Sequence, residues 1–128
     1  MTTFRLGSSL PRIDVTVRAG QAMELTVPVL DAAGVAVVVA ELASARAQVR
    51  ESQAAGTVLH TFSTDDGGAT IGDDGSVTLS ATAEQTADWP ATWPAAGAWW
   101  DLEVTDADGE PHQITAPGRM TALSRVTR

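Results

Sequence analysis

The 128-residue sequence contains no cysteine and no lysine. Without thiols there is no disulfide framework, no thiolate zinc site, no redox motif and no cysteine nucleophile. Without lysine there is no Schiff-base amine and no phosphate-loop ammonium. Positive charge is scarce: eight arginines face 16 acidic side chains, giving a net charge of −8 and a pI near 4.4. Nucleic acid and anionic membranes both call for clustered positive charge, so neither is expected as the main partner. Long apolar runs are also missing. The longest, Gly34–Ala40, falls far short of the roughly 20 residues that cross a bilayer as a helix. No apolar core of a secretory signal is visible near the N-terminus, so synthesis in the cytoplasm is expected, without a signal peptide.

What remains is enough for a core. Apolar residues make up 44% of the chain and charged residues 19%, which suits one globular domain of ordinary size. Their order follows a period of two. Ile13, Val15 and Val17 alternate with polar residues, as do Met23, Leu25, Val27 and Val29. So do Ala45, Ala47 and Val49, then Val77 and Leu79, then Trp100, Leu102 and Val104. This is the pattern of half-buried antiparallel strands. Asp31–Gly34, Asp65–Gly68, Asp73–Gly75 and Asp106–Gly109 supply turns between them, where aspartate caps its own loop and glycine accepts positive φ. Pro28 directs its strand to an edge or a bulge, because proline cannot donate to a ladder. The predicted core is Val15, Leu25, Val27, Val49, Val77, Leu79, Trp100, Leu102 and Val104.

Two segments depart from the alternation. Ala40–Ser44 is predicted as a single helical turn. The second is a short helix near residues 82–89, with Thr82 as N-cap, Gln85 completing a capping box and Pro90 as its stop. Residues 1–10 lack periodicity and are expected to form a flexible arm before a single sandwich domain over residues 11–128. About seven strands are expected.

Little in the sequence points to catalysis. His60 and His112 stand alone, without metal-ligand or triad spacing, and no nucleophile elbow is present. His60 is expected on a strand with its tip in water. The acidic turn Asp106–Gly109 lacks the oxygen spacing of a helix–loop–helix calcium site and is read as a hairpin turn. No cofactor or metal site is expected. The aromatic content is more telling: four tryptophans, no tyrosine and two phenylalanines. Trp89, Trp93, Trp99 and Trp100 fall within twelve residues of one another. Strand parity places Trp100 inside and Trp99 outside. Three readings fit the exposed members: a subunit interface, a carbohydrate platform, or rings folded back over a sheet edge. Arg46 and Arg50 share the polar face of one strand, while Arg119, Arg125 and Arg128 lie near the C-terminus. Arginine's planar fork suits carboxylates on a partner.

An ordered series of segments carries a resemblance: Ser44–Arg50, Thr57–Ser63, Gly75–Ser80, Ala83–Thr86, Trp100–Gly109, Gly118–Thr121 and Val126–Arg128. Together they resemble small structural proteins of tailed bacteriophages, in particular the N-terminal domain of baseplate upper proteins and related tail- or head-associated proteins. The resemblance spans about Thr16 to Arg128. It departs from the family at Trp99-Trp100, where tyrosine or phenylalanine is usual, and at Ala40–Ser44, where an Asp-Leu-Thr-Gly turn is common. It implies an all-β fold, an immunoglobulin-like antiparallel sandwich. It also implies a non-enzymatic assembly module of the virion, present in symmetric or multiple copies and contacting capsid, neck, tail or baseplate subunits. Because the receptor-binding region of the baseplate proteins is not seen here, a stand-alone module is expected. The interface candidates are Arg46, Arg50, Trp89, Trp93, Trp99, Arg119, Arg125 and Arg128. The alternative is a carbohydrate-binding or adhesin-like sandwich using the tryptophan cluster.

Overall fold

The computed structural model describes residues 12–30, 34, 35, 37, 40, 42–52 and 56–124. The expected arm over residues 1–10, and Arg125 and Arg128, lie outside the described residues. Nine strands and two short helices are found among them: β1 (Val15–Arg18), β2 (Met23–Pro28), β3 (Leu42–Arg50), β4 (Val58–Ser63), β5 (Ala69–Ile71), β6 (Ser76–Ala81), α1 (Ala83–Ala87), α2 (Trp89–Thr92), β7 (Ala98–Asp106), β8 (Pro111–Gln113) and β9 (Gly118–Leu123).

The strands form two sheets. The larger has six strands in the order β1-β9-β7-β3-β4, with β8 also paired to β7, and the smaller has the order β2-β6-β5. Their inner faces enclose one core, as an immunoglobulin-like sandwich requires. The alternation seen in the sequence is what builds it. Along β7 every second side chain is buried, from Ala98 through Trp100, Leu102 and Val104 to Asp106. Of the predicted core, Val27, Val49, Val77, Leu79, Trp100, Leu102 and Val104 are fully or almost fully buried, whereas Val15 and Leu25 are partly buried against it. Phe62 and Met120 complete the core. Pro28 sits at the end of β2, an outer strand of the smaller sheet, where no ladder needs its missing N–H.

Among the described strands, all pairs are antiparallel except one: β1 runs parallel to β9, with Val15 opposite Met120. The β1 segment is held there from its start. The buried indole of Trp100 donates from Nε1 to the Ile13 carbonyl at 2.9 Å. Trp100 faces Gly118 across the β7–β9 ladder, and the missing side chain at Gly118 is what lets Ile13 come close. On the same edge of β7, β8 and β9 are two parts of one interrupted strand. The chain leaves the ladder at Thr115, whose buried hydroxyl accepts the Leu102 N–H at 3.0 Å in place of a backbone carbonyl.

The local expectations met two outcomes. The capping box is present: Thr82 Oγ1 accepts from Gln85 N, and Gln85 Oε1 accepts from Thr82 N, at 3.1 and 2.8 Å. Pro90, however, does not end that helix. It lies in the first turn of α2, where a proline loses no hydrogen bond, and Asp88 separates the two helices. Leu42–Ser44, predicted within a helical turn, instead belongs to β3. Leu42 is buried and pairs with Asp106, and this tertiary pairing overrides the local helix preference.

Candidate interaction surface

Strand parity divides β3 cleanly: Ala45, Ala47 and Val49 enter the core, so Arg46, Gln48 and Arg50 face out. On β7, the same rule turns out Trp99, Asp101 and Glu103. Register then sets Arg46 opposite Glu103, Gln48 opposite Asp101 and Arg50 opposite Trp99, with Arg119 of β9 on the far side of Trp99. Two ion pairs cross the strands, Arg46 Nη2 to Glu103 Oε1 and Arg50 Nη1 to Asp101 Oδ2, each at 3.8 Å. Arg50 Nη2 also donates to Gln48 Oε1. At 3.8 Å these pairs are loose, and a guanidinium carries five N–H donors, so the forks retain capacity for carboxylates from outside.

Trp99 is the hub of the neighbouring cluster. The Arg119 guanidinium lies over its ring at 4.3 Å from the centroid, and that of Arg12 at 5.4 Å. Arg119 Nη1 donates to the Ala96 and Gly97 carbonyls at 2.9 and 3.3 Å, which fixes its plane above the indole. Asp14 accepts from the Arg119 backbone N–H at 2.9 Å and from Arg12 Nε at 3.0 Å. The Arg119 N–H and then Arg12 hold the Asp14 carboxyl below the usual aspartate value.

Four of the predicted interface residues, Arg46, Arg50, Trp99 and Arg119, thus share one face on three adjacent strands. Trp89 and Trp93 do not belong there, and their expected place at an interface is corrected. Each is only 5% exposed. Helix α2 folds them inward, where they stack on each other at 4.4 Å, and Trp89 meets Phe62 edge-on at 6.3 Å. Both lie outside the strands, where parity gives no direction. His60 lies on β4, as expected, with its ring partly exposed. Its half-buried ring shares the inner side of β4 with Phe62 and lies 4.6 Å from that ring and 5.0 Å from Trp89. Burial lowers its pKa, with Asp66 opposing the shift in part.

The Asp106–Gly109 turn is a hairpin, as expected. Asp106 Oδ1 accepts the Asp108 and Glu110 N–H groups at 2.9 Å, and Oδ2 pairs with His112 Nε2 at 2.9 Å. The His112 contact first, then the Glu110 N–H, lowers the Asp106 pKa. Asp106, Glu110 and His112 bring potential ligand atoms within 4.8 Å of one another. The buried Asp106 carboxylate, however, already serves three hydrogen bonds that close the hairpin. Sequence reasoning missed Asp101, Glu103, Arg12 and Asp14. The alternation of Trp99, Asp101 and Glu103 was a visible signal, but the register that joins them to arginines was not.

No protein-family model and no curated protein matches the chain. Among solved structures, it is similar to a chicken TCR, with a TM-score of 0.54 and 11% identity over 89% of this chain. The match spans 54% of that chain, about half its length. At this identity the likeness shows the fold, an immunoglobulin-like β-sandwich. Among the described residues, no helix is long and apolar enough to cross a membrane.

Proposed function

We propose that this chain is a non-enzymatic structural module of a tailed-bacteriophage virion. It docks on capsid, neck, tail or baseplate subunits through the outer face of its larger sheet, in several copies. The observation that carries the reading is the convergence of Arg46, Arg50, Trp99 and Arg119 on neighbouring strands of one face. Tryptophan and arginine are the side chains that most often anchor protein interfaces. The ordered resemblance of segments from Ser44 to Arg128 supports the virion setting, and the immunoglobulin-like fold agrees with it. The carbohydrate reading has lost its platform, since Trp89 and Trp93 are buried and Arg119 covers Trp99.

The test is to band virions of the encoding phage on a density gradient and identify their proteins by mass spectrometry. Particles lacking the chain are then mixed with tagged wild-type chain or with an Arg46→Glu/Arg50→Glu variant. Wild type is expected to co-sediment, and the variant to bind about tenfold less, the effect of losing about 1.4 kcal/mol of contact energy. Reversal sets one new carboxylate opposite Glu103 and another beside Asp101, so the melting temperature should fall slightly, and co-sedimentation is compared well below it. Absence of the chain from purified virions, or equal retention of the two proteins, refutes the proposal.

A further inference from the structure

The charges on the outer face of the larger sheet are sorted by strand. Arg46 and Arg50 point outward from β3, and Asp101 and Glu103 point outward from its neighbour β7. Register sets Arg46 level with Glu103, Gln48 with Asp101 and Arg50 with Trp99. A cationic column therefore stands beside a column that is anionic and aromatic. These four charges cancel, so the net charge of −8 is carried by the rest of the chain. Two copies of so acidic a chain meet with least repulsion on this neutral strip.

Two sheet faces packed on each other are related by a two-fold axis lying between them, either across the strands or along them. An axis across the strands, through the row of Gln48 and Asp101, sets Arg46 of one copy on Arg50 of the other. It also sets Asp101 on Asp101, so like charges face each other twice over. An axis along the strands, midway between β3 and β7, sets β3 of each copy on β7 of the other. Arg46 then lies over Glu103 and Gln48 over Asp101. Arg50 lays its stem over Trp99, with its guanidinium directed to Asp101. Every contact occurs twice, as an isologous interface requires.

Three further features suit this arrangement. The in-chain ion pairs are loose at 3.8 Å, so a carboxylate from a second copy adds to them without displacing them. Val58, level with Arg50 on β4, is 44% exposed, and the axis along the strands covers it with Arg119 of the second copy. Packed sheets cross at about 30°, an offset that arginine's long stem takes up. Strands about 4.8 Å apart, rising about 3.3 Å per residue, give a face on the order of 500 Å² per copy, the size of a weak and reversible interface.

We infer that the chain pairs with a second copy of itself through β3 and β7, about a two-fold axis parallel to these strands. The inference rests on the reading of this face as the docking face and names the occupant of its β3–β7 half, a like subunit.

Sedimentation velocity of the full chain at low salt, from about 5 to 500 μM, should show monomer and dimer in equilibrium, with a midpoint in the tens of micromolar. Arg46→Glu sets a carboxylate over Glu103 of the second copy, and Glu103→Arg sets a guanidinium over Arg46. Each variant alone should dimerise about tenfold more weakly than wild type, with thermal melts confirming that it folds. Mixed in equal amounts, the two should recover wild-type association, because both contacts of the mixed pair again join opposite charges. Both variants remain acidic overall, so general attraction does not produce that recovery. Gln48→Glu keeps the acceptor used by Arg50 and should also weaken the dimer, since it faces Asp101 of the second copy. It decides the matter if a reversed variant fails to fold. The inference is overturned by a wild-type chain that stays monomeric, by variants that associate as wild type does, or by a mixture no stronger than its components. Stronger association of Arg46→Glu alone also overturns it, because the new carboxylate then meets Arg50 about an axis across the strands. The virion reading is decided separately, by the chain's presence in purified particles. A monomeric chain found in virions defeats the inference alone, and a dimer absent from virions defeats that reading alone.

Discussion

Gly118 shows how one missing side chain organises a corner of the sandwich. A Cβ at this position would lie 2.2 Å from the Ile13 carbonyl oxygen and 3.0 Å from its carbon, both backbone atoms that no rotamer change can move. That same oxygen accepts the Trp100 indole N–H. Gly118→Ala therefore does two things at once. It pushes the segment leading into β1 off the sheet, and it leaves a buried N–H without its acceptor. The expected cost is about 3 kcal/mol, a drop in Tm on the order of 10 °C. Denaturation followed by tryptophan fluorescence checks it, and an unchanged midpoint would mean that the Ile13 segment is free to shift. Thr86 plays a comparable part with a polar group. Its buried hydroxyl accepts from Gly20 N at 3.1 Å and donates to the Gln21 carbonyl at 2.8 Å, fastening α1 to the β1–β2 turn.

At the scale of elements, features carried by neighbours in sequence were legible and features carried by distant partners were not. The alternation of Trp100, Leu102 and Val104 gave the inner face of β7, because side-chain direction in a strand depends only on parity. The capping box was legible for the same reason, since its two hydrogen bonds join residues three apart. The residue types of the outer face were legible in Arg46, Arg50 and Trp99, but Asp101 and Glu103 became their neighbours only through register. Nothing local announces the parallel β1–β9 pair or the break between β8 and β9. That break makes its own prediction. Thr115→Val keeps the shape but removes the acceptor of the Leu102 N–H, and an unsatisfied buried donor costs about 1–3 kcal/mol. Thr115→Ser keeps the acceptor and should recover most of the loss. The Leu102 amide should exchange with solvent faster in the valine variant alone; equal exchange in all three proteins would show that the hydroxyl is not needed there.

For the whole molecule, the net charge of −8 gives acidification two opposing effects. Self-repulsion fades as the pH approaches 4.4, which favours the compact state. Specific groups act in the other direction. Burial lowers the His60 pKa below 6.5, so the unfolded chain takes up this proton first and stability falls as the pH drops below that value. Asp106 has its pKa lowered from 3.8 by His112 and by backbone N–H groups. Its contribution is complete above 3.8 and disappears as the pH falls through the lower folded value. The charge background is nearly common to wild type and single variants, so differences between melting curves isolate each group. His60→Phe keeps an aromatic ring beside Phe62 and Trp89, and its Tm relative to wild type should rise as the pH falls from 6.5. Asp106→Asn should be less stable than wild type by a constant amount at neutral pH, and the gap should close only below 3.8. Thermal melts between neutral pH and strong acid separate the two windows. If either variant instead runs parallel to wild type through its window, that side chain does not couple protonation to folding in the way its surroundings imply.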